Sequence, residues 1–268
     1  MIDFPNCKIN LGLNVTEKRP DGFHNIETVF YPVNWCDVLE IIEGGDKPIE
    51  IFQSGILVNV KTEENIIFKA WKALVLNHKL PNLKVYLHKV LPMGAGLGGG
   101  SSDAAFFLKM ANSKFNLGLT NDRLKEIAKL LGADCAFFIQ NSPVFAYGKG
   151  DEFKPVKLDL TGCHILVVHP GIHSNTKEAY DGVKPAKPDR TVKEIVENEP
   201  IQNWKNCLVN DFEKSIFAKY PEVGKLKQQL YEGGAIYASM SGSGSAVFGL
   251  FKTKPEIIFS SNHYWFTQ

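Results

Sequence analysis

Five glycines fall within the seven positions 94–100, inside the segment PMGAGLGGGSS at residues 92–102. So dense a run is costly inside a helix or a strand, because glycine loses more backbone freedom on ordering than any other residue. It is retained where the backbone itself must come close to a ligand or to another backbone. The residues before it, LKVYLHKV at 83–90, alternate as a strand, and those after it, SSDAAFFLKMA at 101–111, read as a helix. Strand, glycine loop and helix in that order aim exposed amides and a helix N-terminus at one anion, so the segment is read as a phosphate loop.

Three kinds of phosphate loop compete for it. A Walker A loop requires G-x-x-x-x-G-K-[ST], but Gly94 and Gly99 are followed by Gly100 and Ser101, so the lysine is missing. A dinucleotide fingerprint is matched in form by Gly94, Gly96 and Gly99. It also needs an acidic residue about 20 positions on, at the end of a second strand, and here Asp122 and Glu126 lie in a helical pattern. In the third kind two hydroxyls follow the glycines, and hydroxyls, amides and Mg²⁺ meet a triphosphate. Ser101 and Ser102 satisfy it, although both could equally cap the helix they open.

The chain of 268 residues is long enough for two domains at roughly 150 residues each. Strand-like runs at 7–15, 27–33, 37–43 and 49–53 open it. A helix is expected from Asn65, with Ile66, Ile67, Ala70, Trp71, Leu74 and Val75 at helical spacing. After the loop and its helix come a second helix, TNDRLKEIAKLLG, with Asn121 or Asp122 as its cap, and a third helical start at ADCAFFI. A hairpin around Gly148 and Gly150 leads to the strand CHILVVHPG, and the domain boundary is placed near 155, giving domains 1–155 and 156–268. Beyond it, helices are expected from Thr176, near 205–219 and at 221–232, with strands near 235–239 and 245–252.

Thirty basic residues against 29 acidic ones, with no run of five like charges, argue against a nucleic-acid partner. No apolar run approaches the ~18 residues of a membrane span, and the N-terminal MIDFPNCKINLGL lacks the apolar stretch of a signal peptide. Five scattered cysteines without a C-x-x-C pair read as thiols in a reducing cytoplasm. Nothing in the pattern indicates an oligomer. His164, His169 and His173 invite a metal reading, but Pro170 and Gly171 break any helix that could align the last two, so no metal site is expected.

The loop, the string KINLGL at 8–13 and SGSGSAVFG at 241–249 together resemble the GHMP kinases, the superfamily of galactokinase, homoserine kinase, mevalonate kinase and phosphomevalonate kinase, across nearly the whole chain. The resemblance implies an α+β, two-domain kinase with ATP and substrate bound between the domains, and Mg²⁺ as the ion accompanying ATP. Lys8-Ile9-Asn10-Leu11, followed by Arg19-Pro20-Asp21-Gly22-Phe23-His24 and by GADCAFF, is similar to the branch that phosphorylates a cytidine diphosphate sugar alcohol. That branch more usually has tyrosine where Phe23 stands. The alternatives are another small-molecule kinase of the superfamily, acting on mevalonate or homoserine, and a ligand sensor that keeps the fold without turnover.

The resemblance makes Asp134 the acceptor of the substrate hydroxyl proton and Lys8 the stabiliser of charge on the transferring phosphate. By spacing alone Asp134 is a helix cap and Lys8 a charge interrupting an apolar strand, with Asn10 on the same face two residues on. The resemblance gives the triphosphate to Pro92, Met93, Gly94, Ala95, Gly96, Leu97, Gly98, Gly99, Gly100, Ser101 and Ser102, with Gly242 and Gly244 closing from a second turn, and the adenine region to Asn65. It makes His24 a reader of the cytosine edge and Phe23, Tyr31 and Tyr180 candidates to stack on the base. Thr176 falls near the sugar alcohol, with Asn10 also on the substrate side; spacing alone would make Thr176 a cap and Tyr31 a core residue.

Overall fold

In the computed structural model residues 1–57 and 60–268 are described. In chain order the strands are β1 Ile2–Asp3, β2 Asn6–Lys18, β3 His24–Cys36, β4 Val38–Glu43, β5 Ile49–Gly55, β6 Leu83–Lys89, β7 Val144–Tyr147, β8 Glu152–Pro155, β9 His164–His169, β10 Tyr237–Met240, β11 Val247–Phe251 and β12 Tyr264–Thr267. The helices are α1 Ile66–Val75, α2 Gly99–Lys114, α3 Asn121–Leu131, α4 Cys135–Gln140, α5 Thr176–Asp181, α6 Val192–Asn198, α7 Ile201–Cys207, α8 Glu213–Lys219 and α9 Pro221–Glu232. The α+β class that the resemblance implies is what forms. No helix among the described residues is long and apolar enough to cross a membrane.

The chain divides into two compact units, each assembled from separated stretches: 1–7, 34–93 and 98–142 in one, and 8–33, 94–97 and 143–268 in the other. The first unit holds a sheet in the order β1-β4-β6-β5, antiparallel except for the parallel β5–β6 pair. β6 buries Leu83, Val85, Leu87 and Lys89 on one face, as its period-2 pattern requires. α2 packs against α1, α3, α4 and β4. Residues 102–108 of α2 are all buried, so this helix is central and carries no solvent stripe over that stretch.

The second unit holds the sheet β2-β3-β7-β8 and the sheet β10-β11-β9-β12. Its core joins Leu13, Val15 and Ile26 from β2 and β3 with Leu166, Val168, Phe212, Leu230, Met240 and Val247. The N-terminal strands are therefore part of the same core as the C-terminal helices and sheet.

Local boundaries differ from the pattern in instructive places. α2 starts at Gly99, two residues before the hydroxyls, with Gly98 left-handed as its cap residue, so Ser101 and Ser102 lie inside the first turn. Thr120, not Asn121 or Asp122, caps α3 by accepting from the Arg123 amide. The single helix expected near 205–219 is broken at 208–212, because Leu13 and residues 209–211 exchange backbone hydrogen bonds, which a continuous helix would forbid. Neither α6 nor β12 was expected.

Candidate active site

In the second unit the middle of the glycine loop is sewn to two other segments. The Lys8 amide donates to the Leu97 carbonyl at 3.0 Å, and the Ala246 amide donates to the Ala95 carbonyl at 3.1 Å. Between them, the Gly96 carbonyl accepts from Lys8 Nζ at 2.9 Å and from Ser241 Oγ at 2.8 Å, which occupies both of its lone pairs. A Cβ on Gly96 would lie 1.8 Å from the Ser241 carbonyl oxygen, and its φ is +76°. Glycine is required here on both counts. A Cβ on Gly94 would fall 2.1 Å from Cε1 of His173, so that imidazole packs directly against the loop.

Lys8 is only 3% exposed and comes from an interior position of β2. Its Nζ also donates to Asn10 Oδ1 at 2.6 Å, which confirms that the two residues share a face. Asn10 is oriented in turn: its Nδ2 donates to Thr28 Oγ1 at 3.1 Å, and Thr28 Oγ1 donates to the Gly12 carbonyl. Thr28 and Ser241 are members of this network that motif reasoning did not assign. Thr176, the first residue of α5, is capped by Asn175 rather than being the cap, and its Oγ1 lies 3.1 Å from Ser243 Oγ in the second glycine turn.

The aromatic candidates of the second unit separate into two sets. The His24 ring stacks on Tyr180 with centroids 4.7 Å apart, and Tyr180 meets Phe212 edge-on at 4.8 Å. Phe23 is 59% exposed, with Lys149 Nζ 5.1 Å from its ring centroid. Lys149 was missed; a cation in the GKG turn of the hairpin was its only signal. Tyr31 stands seven residues beyond His24 on β3, on the order of 20 Å away along an extended strand. There burial pushes its hydroxyl pKa up, with Asp159 and Cys163 adding to the shift.

In the first unit Asp134 is the cap residue of α4 in a helical conformation, and its side chain makes no capping hydrogen bond. Asn65 spends its side-chain oxygen on the Ile67 amide at 2.9 Å, capping α1. In α2 the Ser102 amide donates back to the Gly98 carbonyl at 2.9 Å, so the amides before it belong to the open first turn. Among the described residues Ser102 Oγ is buried without a hydrogen-bond partner, as is Asp103 Oδ1. The Ser101 hydroxyl lies against Cys135, whose thiol burial pushes up to about 12 against the pull of that hydrogen bond. Burial likewise raises Asp103 to about 8, opposed by the Lys89 ammonium beside it.

Comparison with known proteins sets this geometry in context. Residues 65–149 match the GHMP kinases N terminal domain, and residues 193–261 match the GHMP kinases C terminal domain. A 4-diphosphocytidyl-2-C-methyl-D-erythritol kinase of Bacteroides fragilis is 52% identical over 96% of this chain and 94% of its own length. The protein of that name from Chlorobium limicola is 40% identical over 93% of this chain and 88% of its own. Among solved structures, a 4-(cytidine 5'-diphospho)-2C-methyl-D-erythritol kinase superposes with a TM-score of 0.78 at 31% identity, covering 93% of this chain and 90% of that one. The mevalonate kinase of Methanococcus jannaschii shares the fold at 15% identity, with a TM-score of 0.69 over 94% of this chain and 90% of that one.

Proposed function

The chain belongs to the GHMP kinase family, and from that we propose that it transfers the γ-phosphoryl group of ATP to the 2-hydroxyl of 4-diphosphocytidyl-2-C-methyl-D-erythritol. The observation that carries the phosphotransfer reading is Lys8, a buried cationic donor laid on the carbonyl of Gly96 within the phosphate loop. The near-full-length likeness to kinases of that name carries the choice of acceptor.

Phosphoryl transfer runs through a loose transition state, so the protein's work is positioning and charge stabilisation. The amides at the start of α2 and in residues 94–100 bind the triphosphate. The acceptor oxygen attacks the γ-phosphorus while the bond from that phosphorus to the bridging oxygen breaks, and ADP leaves with the electron pair. Asp134 takes the hydroxyl proton, and Lys8 stabilises the charge gathering on the phosphoryl oxygens. Asn10 keeps the ammonium aimed, and Thr176 stands on the acceptor side. His24 reads the cytosine edge through its ring nitrogens, while Phe23 offers an exposed ring for stacking and Tyr180 backs the imidazole.

Magnesium fits the loop: the Ser102 hydroxyl is a buried hard oxygen donor with no partner of its own among the described residues. Bound there with ATP, the ion would neutralise charge on the β- and γ-oxygens.

The test is ADP release from ATP and Mg²⁺ with the cytidine compound, mevalonate or homoserine as acceptor. Turnover with the cytidine compound alone is expected, and His24→Ala should raise its KM at least tenfold with the KM for ATP unchanged. Turnover with either other acceptor would overturn the substrate assignment, and none with any of the three would favour a sensor.

A further inference from the structure

The buried charges of the first unit lie at the two ends of the glycine loop and have no place in the chemistry above. Lys89, the last residue of β6, is 1% exposed. Its ammonium donates to Asp37 Oδ2 and, at 2.9 Å, to Asp103 Oδ2, both on fully buried or nearly fully buried carboxylates. Asp37 uses its other oxygen to accept from the amides of Val90 at 2.6 Å and Leu91 at 2.8 Å, the residues leading from the strand into the loop. Asp103 belongs to the second turn of α2, on the far side of the loop. Gly99, where that helix begins, has no Cβ, and one built there would come within 3.3 Å of Lys89 Nζ and 3.2 Å of Leu91 Cβ. The strand end and the helix start are thus drawn together around one ammonium.

We infer that Asp37, Lys89 and Asp103 form a clamp that positions the phosphate loop, fixing the exit of β6 and the entry of α2 so that the amides between them are held ready for the triphosphate. The physical reason is the cost of ordering a glycine-rich segment. Residues 92–98 contain three glycines, and a free segment of that composition would lose its conformational entropy on each binding event. Hydrogen bonds at Ala95, Gly96 and Leu97 hold the middle of the loop; tying its ends as well settles more of that loss before ATP arrives, and preorganisation of this kind appears as affinity. A buried ammonium with two carboxylates is poorly suited to adding stability for its own sake, since an apolar trio often does as well. Its geometric value is directional: one carboxylate reads two successive amides just past the strand while the ammonium reaches the helix. These three are positioning residues and touch neither substrate in this scheme.

The inference rests on the reading of residues 94–102 as the ATP loop, and the experiment separates the two. Lys89→Met keeps the unbranched chain as far as Cε and removes both charged hydrogen bonds; Asp103→Asn is the milder companion. For folded protein, the KM for ATP should rise at least tenfold in Lys89→Met and at least threefold in Asp103→Asn. The kcat should stay within threefold and the KM for the cytidine acceptor should be unchanged. In the same variants, amide hydrogen exchange of residues 94–101 should quicken at least tenfold, while that of β9 and β11 stays as in the unmodified chain. If Lys89→Met fails to fold, Asp103→Asn decides by both measurements. Loop exchange and the KM for ATP within twofold of the unmodified protein, or equal losses for both substrates, would overturn the clamp. An unmodified chain that exchanges slowly at 94–101 yet releases no ADP would overturn the kinase reading and leave the clamp to the exchange data.

Discussion

A methyl group is tolerated nowhere less than at Gly96. Its carbonyl is gripped by Lys8 and Ser241, its φ is +76°, and an added Cβ would occupy space already filled by the Ser241 carbonyl oxygen. Strain at a positive φ alone costs on the order of 1–3 kcal/mol, and the backbone clash adds to it. Gly96→Ala should therefore lower stability by roughly 3 kcal/mol or more and abolish ATP binding, read from urea melts and nucleotide titration; Gly100→Ala, whose Cβ would meet only Ile66 Cγ2 at an ordinary 4.0 Å, should lower stability far less. Asp134 poses a different question, because its side chain is not spent on capping α4. Asp134→Asn should cut kcat by about 10²–10⁴ with the KM for ATP within threefold, and steady-state turnover near that of the unmodified chain would remove it from the proton path. Lys8 and Asn10 were legible because a lysine inside an apolar strand demands partners and the period of 2 points both side chains one way. Thr28 was not, since a threonine in a strand is ordinary until its neighbour across the sheet is known.

At the scale of elements, periodicity placed most strands and helices and turn chemistry misplaced some of their ends. Asn121 and Asp122 are both good caps by type, yet Thr120 has the extended backbone that lets its hydroxyl accept from Arg123. Which of three adjacent cap-forming residues does the work depends on the path of the preceding loop, which local composition does not encode. The difference is measurable: Thr120→Ala should cost about 1 kcal/mol of stability, and Asn121→Ala, now inside the helix and exposed, less than about 0.5 kcal/mol. The reverse order in chemical melts would return the cap to Asn121. The break between α7 and α8 was hidden for a similar reason, as residues 209–211 leave the helix to pair with Leu13, nearly two hundred positions earlier. Lys89 was missed although its position carried a signal. In LKVYLHK the inward positions are Leu83, Val85, Leu87 and Lys89, and a lysine on the apolar phase of a strand announces a buried carboxylate, though it does not say which.

For the whole molecule, the strongest consequence lies in how the chain is shared between its two units. A boundary near 155 follows naturally from a hairpin and the strand after it, but residues 8–33 and 94–97 belong to the same unit as 143–268. Leu13, Val15 and Ile26 are buried in the core that also holds Leu166, Val168, Phe212 and Val247. Three large apolar side chains contribute about 1.5–3 kcal/mol each when buried, together comparable to the 5–15 kcal/mol by which a whole domain is usually stable. A fragment of residues 156–268 also lacks the partner of its 209–211 backbone, Leu13. It should consequently show helix by circular dichroism, bind a hydrophobic dye and melt without a cooperative transition. Adding a second chain of residues 1–155 should restore a sigmoidal melt, since the core needs the strands and not their covalent continuity. A fragment that melts cooperatively by itself would mean that the N-terminal strands dress a core already complete without them, and that the boundary near 155 divides the stability of the protein as well as its sequence.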